Sequence, residues 1–183
     1  LYLFLTVTFW AGNFIVGKLA SFYDVPPFSL NFYRWFFAWL ILAPFTFPEI
    51  IEKKEYIFKN YKLFIILGVT SITIFNSIVY YSLNFTQVIS GVLMISTIPV
   101  MIMLFSSILN IEKTNIFQII GVIFSFAGVI MIITKADIQI LKNLDFNKGD
   151  ITMVVAMFSW ALYSTLLKRQ KYEISQITLL QVV

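Results

Sequence analysis

The chain has 183 residues, of which 60% are hydrophobic and only 12% charged, with a formal net charge of +4 and neither cysteine nor histidine. A soluble domain is nearer a quarter charged, and a globule of this size cannot hide so much apolar side chain from water. The composition therefore predicts an integral membrane protein, with no disulfide framework, no thiolate or imidazole metal site and no basic run suited to nucleic acid.

A helix needs about 20 mostly apolar residues to cross the hydrocarbon core. Six stretches qualify in chain order, at 1–20, 28–47, 63–83, 88–111, 116–134 and 151–167, and a seventh begins near Ile174. The first lacks a basic leader and carries Trp10, Asn13 and Lys18, so it reads as a span rather than a cleavable signal. Asp24-Val25-Pro26-Pro27 breaks the chain before the second, because proline disfavours helix in the residue ahead of it. The stretch 48–62, rich in Lys and Glu, predicts a loop. Asn84-Phe85-Thr86-Gln87 and Glu112-Lys113-Thr114-Asn115 predict tight turns that offer Thr or Asn as helix N-caps. A second long loop is expected over 135–150, ending in Asn147-Lys148-Gly149-Asp150. Helices satisfy their own backbone in lipid, so the predicted fold class is an all-α polytopic bundle. The chain opens at Leu1 and stops in an apolar run at Val183, which gives the expectation of a fragment of a longer protein.

Orientation is read from the cations. With the N-terminus cytoplasmic, the inner side collects Lys53, Lys54, Lys59, Lys62, Lys113, Lys168, Arg169 and Lys171, and the outer side Lys18, Arg34, Lys135, Lys142 and Lys148. The excess favours a cytoplasmic N-terminus.

None of the nine acidic residues falls inside a predicted span: Asp24, Glu49, Glu52, Glu55, Glu112, Asp137, Asp145, Asp150 and Glu173 lie in loops or at helix ends. Without intramembrane acids, histidine or cysteine, no catalytic set of the protease kinds assembles, and no catalytic residue, metal or cofactor is expected. The polar residues inside the spans are the candidates for a substrate pathway. Thr73, Asn76, Tyr80 and Asn84 recur at three- and four-residue spacing and share a face of the third span; Ser90, Met94, Thr97 and Met101 do so on the fourth. Such faces either line a cavity or hydrogen-bond between helices. Asn13, beside Gly12 and one turn before Gly17, carries the same two readings. Arg34 lies about six residues, roughly 9 Å, into its span, with Asn31 and Trp35 on its face. At that depth an arginine snorkels, pairs or faces water, and it is a candidate for an anionic substrate group. Pro99 removes a backbone hydrogen bond near the middle of the fourth span, giving a kink or a hinge. Gly121, Ser125 and Gly128 read as a packing stripe on the fifth.

Trp10-Ala11 is followed eight positions after the Trp by Lys18, and Trp160-Ala161 by Lys168 at the same offset. Five spans separate the starts of the two copies, and an odd number inverts the second copy in the bilayer, as in secondary transporters. No GxxxxGK[ST] phosphate loop is present, which speaks against an ATP-driven pump.

Trp10-Ala11-Gly12-Asn13-Phe14-Ile15 with Lys18, then Arg34, Tyr80-Tyr81-Ser82-Leu83-Asn84, Pro99, Glu112, Gln118-x-x-Gly121, and Gly149-Asp150 with Trp160-Ala161-x-Tyr163 together resemble the EamA domain of the drug/metabolite transporter superfamily. The resemblance implies two inverted five-helix repeats. Residues 1–135 are then the first, and 136–183 hold a connecting loop, one full span of the second and the beginning of another. It also implies a secondary transporter in the lipid bilayer of a prokaryotic cytoplasmic membrane. Such a transporter exports a small-molecule solute, such as an amino acid or related metabolite, by alternating access. A non-transporting bundle subunit or scaffold is the alternative of another class, and a membrane-embedded enzyme a third. The oligomeric state is left open.

Overall fold

The computed structural model describes residues 2–112, 115–134, 147–170 and 173–183, and every regular element among them is a helix. Five are long and apolar enough to cross a membrane: the first span Tyr2–Phe22, the second Pro27–Glu52, the third Tyr61–Ser82, the fourth Val88–Ile108 and the sixth Lys148–Leu167. Between the last two lies the fifth, Ile116–Thr134, whose stretch Ile116–Gly128 is apolar. A short helix, Gln176–Val182, stands where the seventh span was expected to begin.

Two of the expected loops are partly helix. The second span runs on to Glu52 and is followed at once by helix Lys54–Lys59, broken only at Lys53 and Asn60. Lys and Glu are good helix formers, so the charge that argued for a loop here decorates helices instead. Likewise Lys148, Gly149 and Asp150 form the first turn of the sixth span, where Asn147 and Asp150 cap each other's backbone N–H groups reciprocally. The remainder of the 135–150 stretch, with Lys135, Asp137, Lys142 and Asp145, lies outside the described residues, as do Lys113, Thr114 and Lys171. The turns before the second span and after the fourth close on Asp24 and Asn110 in left-handed conformation (φ 52° and 51°), a state these two residue types tolerate.

Two spans are irregular. In the fourth, a 3-10 turn over Ile95–Thr97 precedes Pro99, which then sits in the first turn of the following helix, where its missing N–H costs nothing. The third widens into π-helix over Val69–Asn76. Such a stretch leaves carbonyls poorly served, and inside a membrane each needs a donor. Three successive carbonyls find one: Thr70 O accepts from Ser159 Oγ of the sixth span (2.7 Å), Ser71 O from Asn76 Nδ2 (2.8 Å) and Ile72 O from Asn31 Nδ2 of the second (2.9 Å).

The ends of the helices show the bundle to run up and down. Lys18 at the end of the first span donates to Leu83 O (2.7 Å) and Thr86 O (3.0 Å) just after the third, and Thr86 Oγ1 bonds Asp150 Oδ1 at the start of the sixth (2.5 Å). Thr86 thus serves the sixth span's first turn rather than capping the fourth, as its position in the turn had suggested. Lys168 after the sixth pairs with Glu112 after the fourth, and Glu49 near the end of the second accepts from Ser175 and Thr178 at the start of the terminal helix. The first and third spans therefore end on one side, and the second, fourth and sixth on the other. The core lies between the first, third, fourth and sixth spans, where Phe14, Phe75, Val79, Leu83, Ile98, Met153 and Met157 are buried. Phe4, Phe45, Phe117 and Phe124 stand exposed on the outside, which in a membrane is the lipid face.

Candidate substrate cavity

Four of the candidate residues, scattered over sixty-eight positions and three spans, meet in one cluster. Arg34 donates through Nη1 to Asn13 Oδ1 and Tyr80 Oη, and through Nη2 to Asn76 Oδ1 (2.6 Å). Tyr80 in turn donates to Asn13 Oδ1 (2.6 Å), closing the ring of bonds between the first, second and third spans. Local sequence explains how they reach one another. Asn76 and Tyr80 lie one turn apart, and Asn76 is the last residue of the π-helical stretch. Gly17 lets the first span approach closely: a Cβ there would come within 2.7 Å of the Tyr80 ring. Arg34 projects from the second span beside Trp35, whose ring lies 5.0 Å from the guanidinium carbon, within cation–π range.

This cluster borders a cavity of about 400 Å³. Its other walls are aromatic. Trp10 meets Trp160 edge to face with centroids 5.7 Å apart, Phe75 lies 4.5 Å from Trp160, and Tyr163 lies 5.0 Å from it. A second cavity of about 490 Å³ adjoins it across Trp35, Ile72 and Leu180, and is lined by Asn31, Thr73, Ser77 and Gln181. Cavities of this size, mostly apolar with a few convergent polar groups, suit a small organic solute. The polar groups in its lining are the amides of Asn13 and Asn76, the Arg34 guanidinium, the Ser71 hydroxyl and the Tyr163 phenol. They can hold and orient a solute, and no nucleophile paired with a base stands among them.

The other candidates fall elsewhere. Thr73 faces the adjoining cavity, while Asn84 is exposed at the helix end and donates to its own turn, to Tyr80 O and Tyr81 O (both 3.0 Å). The fourth span gives the cavity Ile95; Met94 packs on the core, Thr97 bonds back to Met94 O (2.7 Å), and Ser90 is half-buried two turns earlier. Thr97 and Met101 instead line an apolar crevice beside the fifth span. Nothing lies within 4 Å of a Cβ at Gly121 or Gly128, so these glycines do not bring helices together in the described chain, contrary to the packing stripe expected there. Arg34, counted above among outer-side cations, is engaged inside the bundle and carries no weight in that count. Trp160 and Tyr163 entered the sequence reading as motif residues alone. The match of Trp10 with Trp160, whose rings lie 5.7 Å apart, is a signal in the sequence that bears on Trp160 alone.

The family model for EamA-like transporters matches residues 1–134. A Bacillus subtilis protein named uncharacterized transporter YyaM is 29% identical over 161 residues, covering 88% of this chain and 52% of that protein. An uncharacterized transporter of Archaeoglobus fulgidus is 28% identical over 170 residues, covering 91% and 56%. The uncharacterized transporter YoaV of Bacillus subtilis is 25% identical over 167 residues, covering 91% and 56%. The chain thus spans about half the length of the curated relatives it matches. No solved structure gives a significant match.

Proposed function

This chain belongs to the EamA-like transporter family, and from that premise we propose that the whole protein is a secondary transporter that exports a small metabolite across the cytoplasmic membrane by alternating access. The observation that supports the pathway is the convergence of Asn13, Arg34 and Asn76 from three spans onto one cavity, with Tyr80 bonded to Asn13 and Arg34 beside it. Packing alone asks little polarity of a membrane bundle, whereas a solute in transit needs groups to replace its hydration. Residues 1–135 form one five-helix repeat and 136 onward opens an inverted second. The contact of Trp10 with Trp160 supports this, because equivalent residues of two repeats touch only near the axis that relates them. Pro99 acts as a hinge in the fourth span, a reading that the 3-10 turn ahead of it supports. The N-terminus is cytoplasmic on the balance of lysines.

The test is cysteine accessibility in the full-length protein, with native cysteines removed from the remainder. Cysteines at Ile72, Asn76 and Val79 line the cavity and should label with a water-soluble reagent, while those at the outward-facing Ile65, Ile66 and Val69 stay dry. Equal labelling around the helix, or none on the cavity side in any state, would reduce the cluster to interhelical bonding. For orientation, a cysteine at Tyr23 should react with an impermeant reagent on intact cells and one at Lys54 should not. The reverse pattern inverts the topology.

A further inference from the structure

We propose that the cavity beside Arg34 selects an organic anion: a solute with one carboxylate, or a group of like charge, on an apolar body the size of a single ring. The proposal deepens the transport reading and rests on it for the claim that the cavity receives a solute.

All three of Arg34's acceptors, Asn13 Oδ1, Asn76 Oδ1 and Tyr80 Oη, are neutral. The ion pairs among the described residues are Lys53 with Glu52 and Lys168 with Glu112, both at helix ends, so none of them balances this guanidinium. A guanidinium carries five N–H donors, and the three bonds leave the Nε–H and one Nη2–H over. A cation held at membrane depth by neutral oxygens alone is costly, and an incoming anion removes that cost. A charge-assisted bond is roughly twice as strong as a neutral one, so a carboxylate gains at Arg34 what a neutral amide, no better than the acceptors already present, does not. A cationic solute meets like charge. The apolar body follows from the rest of the lining, where Trp10, Phe75, Trp160 and Tyr163 border the same space of about 400 Å³.

Three probes sharing one body separate the charges: 3-phenylpropionate, 3-phenylpropanamide and 3-phenylpropylamine, each titrated against the full-length protein in detergent, with the thermal unfolding midpoint as readout. The carboxylate should bind about tenfold more tightly than the amide, and the amine should give no shift. Arg34→Gln should abolish the preference. Arg34→Lys, which keeps the charge and loses the fork, should retain it with weaker binding. If Arg34→Gln does not fold, the ranking on the unsubstituted protein still decides. Equal shifts for the three probes, a preference for the amine, no shift by any, or an unchanged ranking in a folded Arg34→Gln each overturn the proposal. Chloride stabilising as strongly as the carboxylate would assign the site to an inorganic ion and overturn the organic body. A cavity that labels as a pathway yet shows no anion preference removes this inference and leaves the transport reading intact; a dry cavity removes the transport reading.

Discussion

Lys18 and Lys168 each stand eight residues after a tryptophan at the end of a span, and the two tryptophans touch. Their surroundings are nonetheless unlike. Lys18 is half-buried and donates to two backbone carbonyls that the end of the third span leaves open, in a corner where Gly149 and Asp150 also close in. Lys168 meets a carboxylate, Glu112, and both are substantially exposed. The same spacing thus delivers a cation to a helix end in each case, because a long side chain there reaches the interface with little loss. Its partner is decided by which neighbouring helix ends at the same level. The Lys18 corner is therefore expected to be a structural staple, and the Lys168 pair a weak latch.

The largest effect should come from filling the Lys18 corner. A Cβ at Gly149 would stand 2.7 Å from Ser82 O and 2.9 Å from Thr86 N, both backbone atoms that cannot swing aside. Gly149→Val is expected to cost about 2–3 kcal/mol, as overpacking of a tight contact does. Gly121→Val, on the fifth span with nothing within 4 Å of its Cβ, is expected to change stability by less than about 0.5 kcal/mol. Thermal unfolding of the two purified variants compares them directly, and equal losses would show that the corner is no tighter than the rest of the bundle.

The second effect is that of Lys18 itself. Lys18→Met keeps the apolar stem and removes the donors to Leu83 O and Thr86 O. A charged donor to backbone carbonyls is worth about 1.5–3 kcal/mol when partly buried, so the variant should lose about that much stability. The loss should persist in high salt, since the bonds are sheltered. A Lys18→Met protein as stable as the parent would mean that the ammonium is merely solvated at the membrane surface.

These contrasts mark what was legible in the sequence. The spans could be read from hydropathy because lipid demands long apolar helices, and the break at Asp24-Val25-Pro26-Pro27 follows from local backbone chemistry, whereas the fourth span ends at Ile108 and turns at Asn110, ahead of the turn expected at Glu112-Lys113-Thr114-Asn115. The helix over 48–59 was hidden because Lys and Glu are at once surface residues and helix formers. Of the site, Arg34, Asn13, Asn76 and Tyr80 were each visible as polar groups out of place in an apolar span. Their meeting was not, because it depends on the register of three helices and on a π-helical stretch that no local signal announces. Periodicity did place Thr73 and Asn84 with Asn76 and Tyr80. The widened turn carries Thr73 into the adjoining cavity, and Asn84 lies past the helix end, satisfied by its own carbonyls.

The smallest expected effect concerns the latch. Lys168 and Glu112 form an exposed pair, for which Coulomb attraction in water is largely offset by the entropy of holding two long side chains. A double-mutant cycle with Lys168→Met and Glu112→Gln should give a coupling of about 0.2–1 kcal/mol. Raising the ionic strength to about 1 M shortens the screening length to about 3 Å and should erase most of it. The lysine that makes backbone bonds in a half-buried corner must outweigh the one that makes a formal ion pair in the open. A salt-resistant coupling above about 2 kcal/mol would reverse that order. It would also mean that the end of the bundle where the fourth and sixth spans meet is held by a strong closure, against the loose contact that the alternating access proposed above needs on one side.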